Sequence, residues 1–402
     1  MFADRAVQLD IADPLGHLRD RFLPPQEPLI AYFDGNSLGR PLTATAEALT
    51  AFISDPWGTG LIRSWGQQWL DWPIRMGDDL GRLLLGAAPG QLIIADSTTV
   101  LLYKLLNAAV DANPNRTTIL VDEGNFPTDR YVAEAVAAQR GLQLRWITPP
   151  NGTDIEPDLI SQAIDENVVT VLLSHISYLN AHIADMAAIT RIAHQHGASV
   201  IWDLSHSAGL LPVYLDDCDV DYAVGCTYKY LNGGPGSPAF AYVNAKLLDT
   251  MSQPIWGWLG RRDAFEMEQG FQPAAGIRRL TSGTPPVLAM VPLAESLALI
   301  EEAGIAAIRA KSTALTDFAL QIVDSWPNHL GFTVNAPRDA QRRGGHITLI
   351  HEDARAMTAR LWNEGVIPDY RNPNGIRIGL SPLSTSFAEV LAGLQAIRAM
   401  AE

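Results

Sequence analysis

The chain has 402 residues, 47% hydrophobic and 18% charged, which excludes a disordered or fibrous protein and suits a globular one with more than one unit. Its formal net charge of −15 is spread along the chain, which argues against nucleic acid as a partner but leaves room for an anionic cofactor in a local nest of donors. There is no signal peptide, no bilayer-length apolar run and, with two cysteines, no disulfide framework; a cytoplasmic protein away from membranes and without a metal is expected.

Taken in chain order, 45–54 reads as a helix. A short apolar strand at 92–95 runs into Asp96-Ser97-Thr98-Thr99, and 100–110 has helical spacing. Strands at 118–121, 142–147, 168–173, 199–202 and 222–225 alternate with helices at 129–139, 157–164 and 186–196. Alternation with strands apolar throughout predicts an α/β fold: a largely parallel sheet with helices on both faces. After Pro286 the pattern changes to long helices at 287–303 and 306–325. Short strands at 346–350 and 376–380 flank a helix at 352–364, and a helix at 386–400 closes the chain. The expected division is a segment 1–44 joining the small domain, a large cofactor-binding domain 45–286 and a small α+β domain 287–402.

Ligands of open α/β sheets sit beyond the carboxyl ends of the strands. Four polar clusters follow such ends: Ser97-Thr98-Thr99, Phe126-Pro127-Thr128-Asp129, Asp203 with His206, and Tyr228-Lys229. Lys229 stands among apolar and aromatic neighbours before a glycine-rich turn. A partly buried amine has the lowered pKa that imine formation needs, whereas an arbitrary lysine is usually at the surface. Asp203 closes an apolar strand upstream, where a carboxylate can hold a pyridinium nitrogen protonated or merely cap a helix. Ser97-Thr98-Thr99 reads as a phosphate cradle at a helix N-terminus or as ordinary capping. Phe126 can stack on a flat cofactor or fill the core, and Asp129 can meet the cofactor or cap the next helix. Arg377 alternates with Ile376 and Ile378 along a strand; its planar fork suits a carboxylate, or it faces solvent.

Taken together, FDGNSLG (33–39), the Ser-Thr-Thr turn, FPTDRY (126–131), DLSHSAG (203–209), GCTYKYLNGGPGS (225–237), GWLG (257–260) and SGTPP (282–286) resemble the kynureninases. The likeness runs from about Tyr32 to Leu383. It implies the aspartate aminotransferase fold class, fold type I, and a homodimer with sites at the interface. It implies pyridoxal 5'-phosphate on Lys229 and hydrolytic Cβ–Cγ cleavage of kynurenine, or 3-hydroxykynurenine, to an anthranilate and L-alanine. Lys229 would also move the α-proton, Asp203 would pair with the pyridine nitrogen and Phe126 would stack on the ring. Asp129 and His206 would lie close to the cofactor. Thr98, with Thr99, and Tyr228 would hold the phosphate; Tyr228 would also relay a proton. Trp258 and Thr284 would reach the phosphate from the partner subunit. Arg377 would hold the substrate carboxylate, with Ser37 and the Arg63-Ser64-Trp65 segment bordering the substrate ring.

The chain departs from the family's frequent GWWGH or GWFGH at Leu259 and Arg261. Thr284 and Trp65 resemble the bacterial enzymes that prefer unsubstituted kynurenine. The nearest alternative is another enzyme of the same fold, such as an aminotransferase. A cysteine desulfurase needs a nucleophilic cysteine well after the lysine, but Cys218 and Cys226 both precede Lys229. A cofactor-binding regulator would usually carry a basic DNA-binding module, for which the short segment before Tyr32 has no room.

Overall fold

The computed structural model describes residues 2–149 and 154–402. Its elements in chain order begin with α1 (Phe2–Ala12), β1 (Ala31–Tyr32), α2 (Thr43–Phe52) and α3 (Trp72–Leu80). The alternating region is β2 (Leu92–Ala95), α4 (Thr98–Ala112), β3 (Thr118–Asp122), α5 (Pro127–Arg140), β4 (Gln143–Ile147), α6 (Pro157–Ala163), β5 (Val168–Ser174), α7 (Met186–Gln195), β6 (Ser199–Asp203), β7 (Tyr222–Gly225) and β8 (Ala239–Val243). The remainder is α8 (Val287–Ala303), α9 (Ile305–Asp324), β9 (Thr333–Asn335), β10 (His346–Ile350), α10 (Ala354–Asn363), β11 (Val366–Ile367), β12 (Asp369–Arg371), β13 (Gly375–Gly379) and α11 (Phe387–Ala399).

The large sheet has seven strands in the order β2-β8-β7-β6-β5-β3-β4. All run parallel except β8, which is antiparallel to both neighbours. The apolar runs are explained by their place: β5, β6 and β7 are buried along nearly their whole length, with cores on both faces. Trp202 and Val200 point to one core, Ile201 to the other. The helix boundaries follow their caps. The Ser97 hydroxyl accepts from the Val100 N–H at the start of α4, the Asp185 carboxylate accepts from the Ala188 N–H at α7, and Gly141 ends α5 at φ 66°. Strand β8 was not expected: AFAYV holds one β-branched residue, so its identity comes from pairing with β2 and β7.

A second, antiparallel sheet takes the order β12-β13-β10-β9, and β1 pairs with β11. Its core joins Ile347, Ile376 and Ile378 to the helical residues Leu315, Phe318 and Leu394, and to Ala6, Ala31 and Phe33. Ala6, Ala31 and Phe33 of the N-terminal segment lie in this core, whereas Leu15, Leu18, Phe22 and Leu42 pack in the large core. The expected boundary after Pro286 sits less well with the packing. Met290, Leu293, Leu297 and Ile300 of α8, and Ile308 of α9, share a core with Leu92 and Trp202. We propose that the small unit begins within α9, after Ile308, because α8 packs with α2 and α3 and its apolar residues join the core of the large unit.

Candidate active site

The parallel strands and β2 all end on one edge, and the chain turns there place the polar residues. Asp203 is the last residue of β6, in register with Ser174 of β5 and Val224 of β7. Its carbonyl accepts from the His175 N–H at 2.9 Å, and its Oδ1 accepts from the Ser205 N–H at 2.7 Å. Beyond β7, the chain turns through Tyr228 and Lys229. Asn232, Gly234 and Gly236 all have positive φ (48°, 83° and 78°), which a glycine-rich turn supplies cheaply.

Gly39 locks this turn from the N-terminal segment. Its N–H donates to the Tyr228 carbonyl at 2.8 Å. A Cβ at Gly39 would stand 2.4 Å from the Lys229 carbonyl oxygen and 2.3 Å from Asn232 Oδ1. Gly39→Ala should therefore shift the lysine turn and lower stability by about 1–3 kcal/mol, read as a lower urea midpoint. An unchanged midpoint would mean the segment yields without cost.

Thr98, Thr99, Phe126, Asp129, Asp203, Tyr228 and Lys229 line one cavity. The Lys229 Nζ lies 3.0 Å from His206 Nε2 and 5.7 Å from the centroid of the Phe126 ring. His206 is buried, and its titration falls well below the ordinary range because burial disfavours the cation; Lys229 and Arg377 push the same way. Burial holds the Asp129 carboxyl well above the usual carboxylate range, Asp203 adds to this, and Lys229 opposes it. Both Asp129 carboxyl oxygens are buried, with Asp203 and Asn125 as their polar neighbours. Burial also raises the Tyr228 phenol.

A second group lies on the small sheet. Arg377 of β13 is buried, donating from Nη1 to the Tyr178 carbonyl (3.0 Å) and from Nη2 to Ser37 Oγ (2.6 Å). Nη2 also lies 2.7 Å from Asp369 and 3.6 Å from Asp34. Its Nε is buried and unpartnered. Tyr178 joins the two groups: its ring meets Phe126 edge-on at 5.3 Å and lies beneath the Arg371 guanidinium at 5.5 Å. His346 of β10 lies 5.7 Å from the His206 ring, and both its ring nitrogens are buried without partners.

Six expected residues are not among those lining the Lys229 cavity: His206, which contacts Lys229 from beside it, Arg377 and Ser37 of the second group, and Trp258, Thr284 and Trp65, which join neither group. Trp258 and Thr284 are exposed on the chain. Trp65 is half-buried, edge-on to Trp69 at 5.2 Å. Conversely, Asp34, Tyr178, His346, Asp369 and Arg371 were not singled out from sequence. Asp34 carried a signal, since it lies in FDGNSLG; Asp369 meets Arg377 only through the β12–β13 register.

Two family profiles match the chain: the kynureninase C-terminal domain over residues 308–397, and the DegT/DnrJ/EryC1/StrS aminotransferase family over residues 93–213. The chain is 40% identical over 397 residues to a kynureninase of Pseudomonas fluorescens, covering 97% of this chain and 93% of that one. The chain belongs to the kynureninase family. A Burkholderia pseudomallei kynureninase is 39% identical, covering 98% of this chain and 94% of that protein. Among solved structures, a C-DES mutant with glycine covalently linked to the PLP cofactor superposes with a TM-score of 0.81 at 18% identity, covering 91% of this chain and 96% of that one. An Escherichia coli cysteine desulfurase gives 0.80 at 19% identity, covering 95% and 97%. At such identities these two establish the fold, that of the type I pyridoxal phosphate enzymes.

The residues of this kynureninase-family site fit pyridoxal phosphate. An amine faces the cavity, an aromatic ring lies within reach of it, and Asp203 and Asp129 supply carboxyl groups. The Ser97-Thr98-Thr99 turn at the N-terminus of α4 suits the phosphate.

Proposed function

We propose that this chain uses pyridoxal phosphate to hydrolyse the Cβ–Cγ bond of L-kynurenine, giving anthranilate and L-alanine. Family membership over nearly the whole chain carries the reading. The cofactor, when bound, supplies an electron sink for charge developing at the substrate α-carbon. The chain's own residues do the rest. Arg377 binds the substrate carboxylate, using the Nε–H that has no partner within the protein. Lys229 binds the cofactor, takes the proton from Cα and returns protons as the three-carbon fragment leaves. Asp203 keeps the pyridine nitrogen protonated. Phe126 packs on the ring, while Thr98, Thr99 and Tyr228 hold the phosphate. His206, beside Lys229, stays neutral through burial. Across the reaction, hydroxide from water ends on the ketone carbon, the Cβ–Cγ bond breaks, and a proton ends on Cβ.

The second copy completes the site in this proposal. Trp258 and Thr284 are exposed on one chain, where an interface would place them against a partner's phosphate site. Ser37 and Trp65 are assigned to the substrate side, bordering the ring. The compartment is proposed as cytoplasm, in keeping with Cys218 and Cys226 both being free. No helix among the described residues is long and apolar enough to cross a membrane.

Incubating the holoenzyme with kynurenine should release anthranilate, seen by its fluorescence, and alanine in equal amounts. A 2-oxo acid and no anthranilate would instead support the aminotransferase reading, which the second family profile keeps in view. Thr284 and Trp65 predict a higher kcat/KM for kynurenine than for 3-hydroxykynurenine. The reverse order would move the assignment to the hydroxylated substrate.

A further inference from the structure

Lys104 of α4 has no part in the chemistry above, yet its charge is fully buried. The ammonium donates to Asp96 Oδ2 (2.6 Å), the Leu280 carbonyl (2.5 Å) and Ser282 Oγ (2.5 Å). All three of its donors are thus met, the condition for placing a lysine in a core. The Ser282 hydroxyl donates to Asp96 Oδ2 at 3.1 Å and closes the triangle.

Each corner belongs to a different piece of chain. Asp96 leads into the Ser97-Thr98-Thr99 turn and has φ 44°, a left-handed conformation uncommon for a residue with a Cβ. Its carbonyl is held by the Ala239 N–H at 3.1 Å. Ser282 is packed flush against Gly257, where a Cβ would stand 1.6 Å from the Ser282 carbonyl oxygen. A Cβ at Gly260 would be 2.4 Å from the Thr281 oxygen, and Arg278 Nε donates to the Leu259 carbonyl at 3.2 Å. Residues 257–260 and 278–282 therefore form one packed piece, next to which Trp258 and Thr284 are exposed.

We propose that Lys104 is a positioning residue that sets two phosphate contacts at once: the Thr98-Thr99 turn of its own cavity and, through Ser282, the Trp258 and Thr284 loops that serve the second copy. The inference rests on the proposed assignment of those two loops to the partner subunit. It makes the two sites of a dimer interdependent for cofactor binding. Lys104 itself is too deep to touch the ligand.

The test compares pyridoxal phosphate with pyridoxal, which lacks the phosphate. Lys104→Met keeps the bulk of the stem and removes all three donors. It should raise the Kd for pyridoxal phosphate roughly ten-fold, and Ser282→Ala about three-fold, while the Kd for pyridoxal stays within about two-fold. If Lys104→Met does not fold, Ser282→Ala carries the same comparison. Equal weakening of both ligands, or of neither, overturns the proposal. The cross-subunit arm is read in hybrid dimers that pair a wild-type chain with one carrying both Lys104→Met and Lys229→Ala. The single cavity with Lys229 then has an intact turn and altered partner loops. Weakened pyridoxal phosphate binding there supports the link, and wild-type affinity overturns it. Lys229→Ala homodimers test the cofactor assignment separately, since they must lose the visible absorbance of bound cofactor, and Trp258→Ala on the Lys229→Ala chain of the hybrid tests the loop assignment: weakened binding at the remaining site supports it and wild-type affinity overturns it.

Discussion

Lys229→Ala should abolish anthranilate formation, lowering kcat by at least about 10³-fold, and should remove the visible absorbance of the bound cofactor. Two roles are lost together. The amine that holds the cofactor disappears, and so does the base proposed for the α-proton. Neighbours offer no replacement. His206, 3.0 Å from the Lys229 Nζ, is kept neutral by burial, but an imidazole cannot hold the cofactor as an imine. Lys104 has all its donors engaged elsewhere. Lys229→Arg should fail in the same way, because a guanidinium stays protonated. Folding should be little affected, since the Lys229 ammonium makes no carboxylate ion pair among the described residues. Spectra and single-turnover kinetics with kynurenine check this result; anthranilate release at the wild-type rate would remove Lys229 from the chemistry.

The residues of the Lys229 cavity that could be read from sequence share a property: each ends or follows a strand, or opens a helix, within its own stretch of chain. Asp203 was visible because Val200-Ile201-Trp202 announces a buried strand before it. Thr98 and Thr99 were visible because Ser97 opens α4. The alternation of apolar strands and helices likewise exposed the large sheet, since burial on both faces leaves a continuous apolar run. Strand β8 was missed because its antiparallel place is set by β2 and β7, not by its own five residues. Asp369, Arg371 and His346 were missed for a related reason. They approach Arg377 and His206 through the pairing β12-β13-β10, which has no local signature. The proposed placement of the domain boundary within α9, rather than after Pro286, has a similar origin. A break in periodicity marks where the pattern changes, but not which core a helix joins.

Arg377→Lys should raise the KM for kynurenine about ten- to a hundred-fold, with a smaller fall in kcat. The guanidinium divides its donors: Nη1 and Nη2 are held by the Tyr178 carbonyl and Ser37, while Nε has no protein partner. A charged hydrogen bond to a carboxylate is worth roughly 1.5–3 kcal/mol, and a lysine cannot keep the protein contacts and present the same fork. The effect on folding is separable. Asp34 and Asp369 both lie against Nη2, and a shorter-reaching point charge compensates them less well. Thermal midpoints should therefore fall with and without cofactor, whereas the KM change appears only with substrates bearing the α-carboxylate. Decarboxylated kynurenine separates the two: its binding should hardly distinguish wild type from Arg377→Lys. An unchanged KM for kynurenine would pass the carboxylate to another cation. Arg371 is the nearest candidate, because it shares Asp369 with Arg377 and lies over the Tyr178 ring.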